Sequence, residues 1–521
     1  MNWLDILEPI TRIKDRRSPL YLRLTDSIRG CIESGTLVEN DKLPPDRELA
    51  KLLKVDRSTI ARAYDQLEAD GLISSHVGRG TFVKRHEPDR SLKPARGAVD
   101  APASQMLWAD KFSRASQDVS FIAQRQLPLN NTNVDAISFS AGAPTEEFFP
   151  QREFQEIVSS LLASEKSLEM FGYSQPEGHP ALREQVQLYL KKQGINVADE
   201  ELLILSGSQQ GIDLVGRTLL DPDDVVLMED PTYFWAICNF TACGARCMPV
   251  ATDDHGLRLD QFESAASRVS AKLLYTMPSF QNPTGSTLPL ERRRKLLELA
   301  RAYQVPILED NFVGDLSYGE SLPSLRSLDS DGGTVIYQGT FSKALCPGLR
   351  LGWLVAPEPV MTRLRLAKRT CDLSTNSMAQ VILAEYLKRG LYQEHLAIVQ
   401  AEYKSRLEAM CDALTRHAGQ WLTWQKPAGG MFIWAKLPPG YSARELFAFA
   451  EREGVTFSPG DVYFSFAGRQ EYMRLTFIQQ QPELIEEGVA RLGRALKAYG
   501  NSRKRVTRAG EGYQVSEATF I

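Results

Sequence analysis

A lysine in the stretch GTFSKALCPGLRLGW, residues 339–353, has the neighbours that covalent cofactor chemistry requires. Lys343 follows the hydroxyl residues Thr340 and Ser342 and precedes Arg350. A lysine amine forms a Schiff base only after it loses its proton, and burial and nearby cations favour that loss. The two hydroxyls and the guanidinium are suited to holding a phosphate dianion. The pattern therefore predicts a phosphate-bearing aldehyde as cofactor, and pyridoxal 5′-phosphate is the obvious one.

Other residue types that this cofactor needs occur elsewhere in the chain. Asp310 ends the stretch VPILED, and a carboxylate there would keep a pyridine nitrogen protonated. Ser208 and Gln209, in SGSQQG, begin a helix whose N-terminus suits a phosphate. Tyr233 in DPTY could stack on the ring, and Asn282 in QNPTG lies in a turn. Each of these residues alone is more often part of a core or a turn than of a site.

The elements that position these residues alternate between strands and helices. From Val134 onward, short apolar runs such as ELLILSG, DVVLMEDP and AKLLYTMP are separated by helical stretches such as ERRRKLLELARAYQ. This alternation predicts an α/β fold with a mostly parallel sheet wrapped by helices. Because ligands bind at strand ends in open α/β sheets, Lys343 after the strand VIYQG is well placed for chemistry.

The segment from Ser18 to Lys84 has a different pattern, which predicts three helices and a short hairpin. The first helix carries an apolar stripe that consists of Leu20, Leu22, Leu24, Ile28 and Ile32. The third helix starts near Asp56 or Arg57 and is expected to bury one face, which carries Ile60, Ala63, Tyr64 and Leu67. The run LISSHVGRGTFV predicts the hairpin, with a tight turn around Gly78.

The third helix has the features of a DNA-recognition helix. Its first turn, the part that enters a major groove in helix-turn-helix docking, contains Arg57, Ser58 and Thr59. From Ser18 to Lys84 there are ten Lys plus Arg and ten Asp plus Glu, so affinity for DNA must come from the placement of the cations. The residues expected to contact DNA are Arg47, Arg57, Ser58, Thr59, Arg62, Gly78 and Arg79. The alternative is a small helical interaction module.

The composition limits the class of protein but does not indicate a binding partner. A net charge of −4 with 43% hydrophobic and 24% charged residues is typical of a soluble globular protein. No apolar run is long enough for a membrane span, and the N-terminus lacks the order of a signal peptide, so we expect a cytoplasmic protein. The seven cysteines are scattered without a C-x-x-C pair, which favours reduced thiols over disulfides and predicts no metal site.

The N-terminal residues resemble the winged helix of the GntR regulator family. PLYLRL, LPPDRELAKLLKVDRSTIARAYDQLEADGLI and GRGTFV match its pattern. The chain departs from it at Glu39-Asn40, where Pro-Gly is usual, and at Pro45, where a serine is usual. The resemblance implies DNA contacts from Arg47, Arg57, Thr59 and the wing at Gly78.

The second part of the chain resembles the fold type I aminotransferases, especially the kynurenine and 2-aminoadipate aminotransferases. The matching stretches are GYSQPEGHPALRE, SGSQQG, EDPTY, QNPTG, LED, TFSK with Arg350, and MRLTF. The resemblance implies that Lys343 forms the internal aldimine, Asp310 pairs with the pyridine nitrogen, Asn282 bonds the cofactor's 3-oxygen and Tyr233 stacks on the ring. It implies phosphate contacts from Ser208, Gln209, Thr340, Ser342 and Arg350, and from Tyr173 to the phosphate of the other subunit. Arg474 would clamp a carboxylate of a substrate or effector.

One departure from these aminotransferases concerns the residues after Asp310. Related proteins carry a tyrosine two or three positions later that bonds the 3-oxygen, whereas this chain has Phe312 and Val313. Neither side chain can donate a hydrogen bond. The departure leaves Asn282 as the main partner of that oxygen and weakens the case for an efficient transaminase more than the case for cofactor binding.

A GntR-like winged helix joined to an aminotransferase-like unit resembles the MocR subfamily of transcriptional regulators. The expected division is a winged helix over 1–87, a linker over 88–133, a cofactor unit over 134–500 with a large α/β domain and a smaller C-terminal α+β subdomain, and a flexible tail over 501–521. The resemblance implies a homodimer that binds operator DNA and senses an amino acid or amine through an aldimine on Lys343. The alternatives are a working aminotransferase with an accessory DNA-binding module, and a repressor that responds to pyridoxal phosphate itself.

Overall fold

The structure, a computed structural model, describes residues 20–33, 37, 41–69, 72–76, 80–84, 111–123, 136–465 and 469–511. The chain divides into two compact units, Met1–Phe112 and Ser113–Ile521. This division falls within the predicted linker, most of which lies outside the described residues. The limits expected for the winged helix, the linker and the cofactor unit stay predictions.

The first unit has the three helices and the hairpin that the sequence predicts. Helix α1 spans Leu20–Glu33, and strand β1 spans Lys42–Leu43. The remaining elements are α2 (Asp46–Leu53), α3 (Arg57–Ala69), β2 (Ile73–His76) and β3 (Gly80–Val83). The strands form an antiparallel sheet in the order β1-β3-β2. The side chain of Asp56 starts α3, because it accepts hydrogen bonds from the amide and the hydroxyl of Ser58, both at 2.8 Å.

One face of each helix fills the core of the first unit. All the residues of α3 that were expected to be buried are buried, namely Ile60, Ala63, Tyr64 and Leu67. The hydroxyl of Tyr64 donates to the carbonyl of Pro44 at 2.9 Å and ties α3 to the start of α2. Leu22 is absent from this apolar cluster, contrary to the expected stripe. It lies two residues from Leu20 and Leu24, and therefore on another side of the helix.

The strands of the second unit form one large sheet and two small ones. In chain order they are β4 (Ile137–Ser138), β5 (Leu202–Leu205), β6 (Val225–Asp230), β7 (Arg246–Asp253), β8 (Gly256–Leu257), β9 (Ala271–Thr276), β10 (Ile307–Asn311), β11 (Val335–Thr340), β12 (Gly352–Val355), β13 (Thr423–Trp424), β14 (Phe432–Lys436), β15 (Val455–Thr456), β16 (Ser458–Pro459) and β17 (Tyr472–Thr476). The large sheet has the order β5-β12-β11-β10-β9-β6-β7-β8. Its neighbours from β11 to β7 are parallel, which confirms the predicted mostly parallel α/β fold.

Helices cover the large sheet and complete the smaller subdomain. They are α4 (Arg114–Ala123), α5 (Gln151–Leu162), α6 (Pro180–Lys192), α7 (Ser208–Leu219), α8 (Phe234–Ala242), α9 (Leu259–Ala266), α10 (Leu290–Ala302), α11 (Leu325–Leu328), α12 (Glu358–Asp372), α13 (Ser377–Lys388), α14 (Leu391–His417), α15 (Ala443–Arg452) and α16 (Pro482–Glu511). Because the large sheet is covered, a strand such as β5 is buried along its whole length. Within the described ranges, no helix is long and apolar enough to cross a membrane.

The smaller subdomain contains an antiparallel sheet in the order β13-β14-β17-β16, and β15 pairs with β4. Helix α16 packs here and continues to Glu511, so residues 501–511 of the segment expected as a tail are helical, and the remainder lies outside the described residues. Near the expected end of the unit, the guanidinium of Arg503 lies 5.2 Å from the ring centre of Tyr441 and 5.9 Å from that of Tyr499. The expected flexibility of the tail stays a prediction.

Candidate functional site

The residues predicted to carry the chemistry meet at one edge of the large sheet. Strands β10 and β11 are parallel neighbours, with Asp310 opposite Gln338, so the segments that follow them leave the same edge. A cavity of about 480 Å³ lies at this edge. Of the predicted residues, those that line it are Lys343, Asp310, Asn282, Tyr233, Ser208 and Arg474.

The amine of Lys343 is largely buried and binds its proton weakly. Its Nζ donates a hydrogen bond to the carbonyl oxygen of Gly142 at 2.7 Å. Desolvation, followed by the positive charges of Arg474 and Arg350, lowers the pKa of the Lys343 amine to about 8, against the opposing charge of Asp310. An amine in this state is available as a nucleophile near neutral pH.

Asp310 lines the same cavity and has one carboxylate oxygen without a partner. Oδ2 accepts a hydrogen bond from the hydroxyl of Tyr275 at 2.7 Å, whereas Oδ1 is buried and accepts none. Desolvation raises the pKa of the Asp310 carboxyl to about 6, although the Tyr275 hydrogen bond, the nearby Gln338 amide and the charge of Lys343 lower it. A buried acceptor left open in this way suits a cationic N–H of a bound group.

The start of helix α7 is suited to an anion. Ser208 begins the helix, whose first amides and dipole favour negative charge. Gly207 before it has a φ of +92°, and a Cβ at this position would lie 2.5 Å from the guanidinium of Arg350. Arg350 also donates from Nη2 to the carbonyl of Ser206 at 3.4 Å. A glycine is therefore required where the guanidinium approaches the helix start.

The remaining residues predicted to surround a phosphate are bonded to one another or to their neighbours. The hydroxyl of Thr340 donates to the carbonyl of Leu351 at 2.9 Å and accepts from the amide of Ser342 at 3.1 Å. Gln209 accepts a hydrogen bond from the hydroxyl of Tyr233 at 3.2 Å. Thr340 and Ser342 thus fix the turn that holds Lys343, and Gln209 orients the Tyr233 ring.

Arg474 is a buried cation without a carboxylate partner among the described residues. Its Nη1 donates to Oδ1 of Asn282 at 2.8 Å, and its Nη2 donates to the carbonyl of Ser140 at 2.9 Å. Its Nε is buried without a partner, and the guanidinium lies 4.0 Å from the ring centre of Phe432. Desolvation lowers the pKa of the Arg474 guanidinium. A guanidinium held by neutral oxygens is suited to an incoming carboxylate.

The departure at Phe312 and Val313 is visible in the structure. Phe312 lines the cavity with a ring that carries no hydroxyl, and Val313 is buried. Tyr173, expected to act on another subunit, is 91% exposed and does not line the cavity of its own chain. Its expected role stays a prediction.

Several residues of the site were missed by sequence reasoning. Ser140 and Gly142 supply carbonyl oxygens to Arg474 and Lys343, and the small residues of SFSAGAP were the available signal. Tyr275 lies on a buried strand and has the sequence pattern of a core residue, although its hydroxyl binds Asp310. Tyr463 lies in a short apolar stretch that carries no motif.

The residues predicted to contact DNA fall into two groups. Arg47, Arg57, Ser58 and Arg62 are exposed, and Thr59 is half-buried. Arg57 is ion-paired, since its Nε donates to Oδ2 of Asp46 at 2.7 Å, which lowers the pKa of that carboxyl. Gly78 and Arg79 lie outside the described residues.

Helix α4, in the segment predicted as a linker, packs on the wall of the cavity. Val119 and Ile122, one turn apart on α4, contact a cluster formed by Phe234, Val462 and Tyr463. These three residues also line the cavity. The first helix after the division between the units is therefore in contact with the wall of the site.

Comparison with known families assigns a model to each unit. The family "Bacterial regulatory proteins, gntR family" matches residues 20–83, and "Aminotransferase class I and II" matches residues 134–492.

Two individual relatives are similar to nearly the whole chain, and a solved structure is similar to three quarters of it. The uncharacterized HTH-type transcriptional regulator YdfD of Bacillus subtilis is 32% identical over 93% of this chain and 98% of its own length. The probable rhizopine catabolism regulatory protein MocR of Rhizobium meliloti is 28% identical over 94% of this chain and 96% of its own. The crystal structure of LysN, an α-aminoadipate aminotransferase from Thermus thermophilus in complex with N-(5′-phosphopyridoxyl)-L-leucine, is 37% identical with a TM-score of 0.70 and covers 75% of this chain and 99% of that one.

Proposed function

The chain belongs to the aminotransferase class I and II family and to the MocR subfamily of GntR-type regulators, and from this membership we propose a transcription regulator that senses an amino compound at Lys343. One observation carries the proposal. The largely buried Lys343 and the buried Arg474 are two basic residues that line one cavity, and Asp310 in the same cavity has an open carboxylate oxygen. A site with this charge pattern suits a ligand that brings an amine and a carboxylate.

The residues of the cavity fit pyridoxal 5′-phosphate. Bound in such a site, this group supplies an aldehyde that condenses with primary amines and a ring that withdraws electrons. The α7 N-terminus and Arg350 would hold its phosphate, and the open Oδ1 of Asp310 would accept the ring N–H. The Tyr233 ring would pack on one face of it, and the lowered pKa of Lys343 would give its amine a larger neutral fraction near neutral pH than an ordinary lysine has.

Sensing requires that the ligand favours one conformation of the chain. The ligand would compete with Lys343 for the aldehyde and place its carboxylate on Arg474, whose Nε is unoccupied. Both events would alter contacts at the wall that includes Val462 and Tyr463, on which α4 packs. We propose that α4, which follows the division between the units, passes this change toward the DNA-binding unit.

The DNA-binding unit would read an operator through the first turn of α3. Arg57 and Ser58 are exposed there, and the helix dipole adds a positive end for phosphates. Because the segment from Ser18 to Lys84 has equal numbers of acidic and basic residues, DNA binding should depend on a few well-placed cations such as Arg57.

The cofactor part of the proposal is tested by spectroscopy and mass spectrometry. The purified chain with pyridoxal 5′-phosphate is expected to absorb visible light, and borohydride is expected to increase the mass of the peptide that contains Lys343. Lys343→Ala should lose both signals, and Lys388→Ala, at an exposed lysine outside the cavity, should keep both. Retention of the visible band by Lys343→Ala would show that the cofactor is held elsewhere.

A second candidate function is amino-group transfer. The lowered pKa of Lys343 and the open oxygen of Asp310 favour it, because both support proton transfer and carbanion stabilisation. Phe312 counts against an efficient enzyme, since it offers no hydroxyl beside the site. Turnover of an amino donor with a keto acid acceptor would establish this function, and its absence over a broad donor panel would leave regulation.

We propose that the chain acts as a homodimer, as the MocR-type resemblance implies. Leu168, Phe171 and Tyr173 are 79%, 64% and 91% exposed, so the segment before α6 carries uncovered apolar side chains. A dimer would cover it and let two DNA-binding units read two half-sites. Sedimentation of the cofactor-loaded chain at micromolar concentration should give a dimer, and a monomer would contradict the proposal.

A further inference from the structure

The part of the cavity that the cofactor would leave open indicates which class of amino compound binds there. Resting on the proposed function, we infer that the ligand is an α-amino acid whose side chain is apolar, either aromatic or aliphatic with several carbons. The inference comes from which residues line the part of the cavity that the cofactor would leave open.

The cavity has two sides of different composition. The large sheet supplies the residues assigned to the cofactor, which are Ser208, Tyr233, Asn282, Asp310 and Lys343. The opposite side comes from the smaller subdomain, and its apolar lining consists of Phe432, Phe447, Phe457, Pro459 and Val462. Trp235, which lies on α8 and is 43% exposed, also lines the cavity. A ligand held between Lys343 and Arg474 therefore has mainly apolar surface available for its side chain.

The polar groups on this side are already engaged. The hydroxyls of Ser458 and Tyr463 are hydrogen-bonded to each other at 2.9 Å. Ser140 donates from its hydroxyl to that of Thr456 at 3.4 Å. Arg474 is the charged side chain of this side among the described residues that line the cavity, and the α-carboxylate would occupy it.

A charged ligand side chain would therefore be desolvated without a partner. Burying an unpaired carboxylate or ammonium is costly, whereas each buried methylene improves affinity about fourfold. A site of this kind discriminates strongly against charged side chains and only modestly among apolar ones. Norleucine and glutamate are a matched pair for this test, because their side chains have similar length and differ in charge.

The experiment titrates the cofactor-loaded full chain with L-alanine, L-norvaline, L-norleucine, L-phenylalanine, L-glutamate and L-lysine, and follows the visible spectrum. Affinity should rise about fourfold from norvaline to norleucine, which differ by one methylene. Glutamate and lysine should bind at least about tenfold more weakly than norleucine. Equal or tighter binding of glutamate or lysine would overturn the inference. A chain whose spectrum responds to no amino compound would instead refute the proposed function.

A charged residue introduced into the apolar side of the cavity tests the same assignment by changing the protein instead of the ligand. Val462→Lys places a cation on the apolar side, so the preference for norleucine over glutamate should fall at least about tenfold. Leu366→Lys is the matched control, because Leu366 is 58% exposed on α12 and does not line the cavity. If the lysine variant does not fold, Val462→Thr, which keeps the shape, should weaken norleucine binding and leave glutamate binding unchanged. An unchanged preference in folded Val462→Lys would contradict the assignment of this side to the ligand side chain.

Discussion

The reactivity of Lys343 in the cofactor-free chain should have its midpoint near pH 8. Burial and the charges of Arg474 and Arg350 lower its pKa from 10.5 to about 8. At pH 7, about 9% of the amine is then neutral, compared with about 0.03% for an ordinary lysine, so the reactive form is roughly 300-fold more abundant. Because the pKa is lowered, the neutral amine accumulates as pH rises through 8, well before exposed lysines lose their protons.

Competitive labelling with acetic anhydride measures this directly. The chain is labelled with a trace of reagent from pH 6 to pH 11, and digestion with mass spectrometry gives the extent of acetylation at each lysine. The exposed Lys388 serves as the internal reference for the reagent. Half-maximal labelling of Lys343 near pH 8 is expected, and a midpoint above pH 10 would refute the argument from burial and charge.

A variant separates the two causes of the lowered pKa. Arg350→Met removes one neighbouring cation at an exposed position and should move the midpoint of Lys343 above pH 8, but not as far as 10.5, because desolvation is the larger cause. Arg469→Met, at an exposed arginine that does not line the cavity, should leave the midpoint unchanged. A midpoint that does not move in Arg350→Met would mean that this charge has no influence on the amine.

Three further predictions concern other parts of the chain. Arg57→Ala should weaken binding to double-stranded DNA from the chain's own promoter region by about 1–3 kcal/mol and reduce the salt dependence of binding. Gel-shift titrations at several salt concentrations measure both effects. Full affinity in the variant would exclude a role for Arg57 in DNA binding. Gly207→Ala and Gly440→Ala both place a side chain at a positive φ, so each should lower the free energy of unfolding in urea by about 1–3 kcal/mol. Only Gly207→Ala should also weaken binding of pyridoxal 5′-phosphate, because only its Cβ would meet a guanidinium. Val119→Asp should abolish the effect of L-norleucine on DNA affinity but keep its effect on the visible spectrum. Ser120→Asp, on the exposed side of α4, should keep both effects. An intact effect on DNA affinity in Val119→Asp would show that α4 does not pass the change to the DNA-binding unit.

Much of the fold could be predicted because local patterns and tertiary packing agree. The burial of Ile60 and Leu67 follows from helical spacing, and the parallel sheet follows from apolar runs that alternate with helices. Leu22 shows where the pattern fails, since an apolar residue at spacing two cannot share a helix face with its neighbours. Arg503 shows another limit, because its contact with the ring of Tyr441 joins residues that are far apart in the chain.

The candidate site was predictable where motifs mark it and not where the backbone supplies the contact. Lys343 and Asp310 follow strands at the same sheet edge, so their meeting could be inferred from the topology. The carbonyl of Gly142 as a partner of Lys343 could not be inferred, because any residue type has a carbonyl and the two positions are far apart in the chain. The pairing of Arg474 with Asn282 likewise depends on how the smaller subdomain meets the large sheet.

The central claim is that occupation of the cavity at Lys343 controls DNA binding. The most direct measurement is the affinity of the cofactor-loaded chain for its promoter DNA with and without L-norleucine, made in parallel on Lys343→Ala. We expect a shift of at least about fivefold in the native chain and none in the variant, which should still fold and bind DNA. An equal shift in both proteins would contradict it.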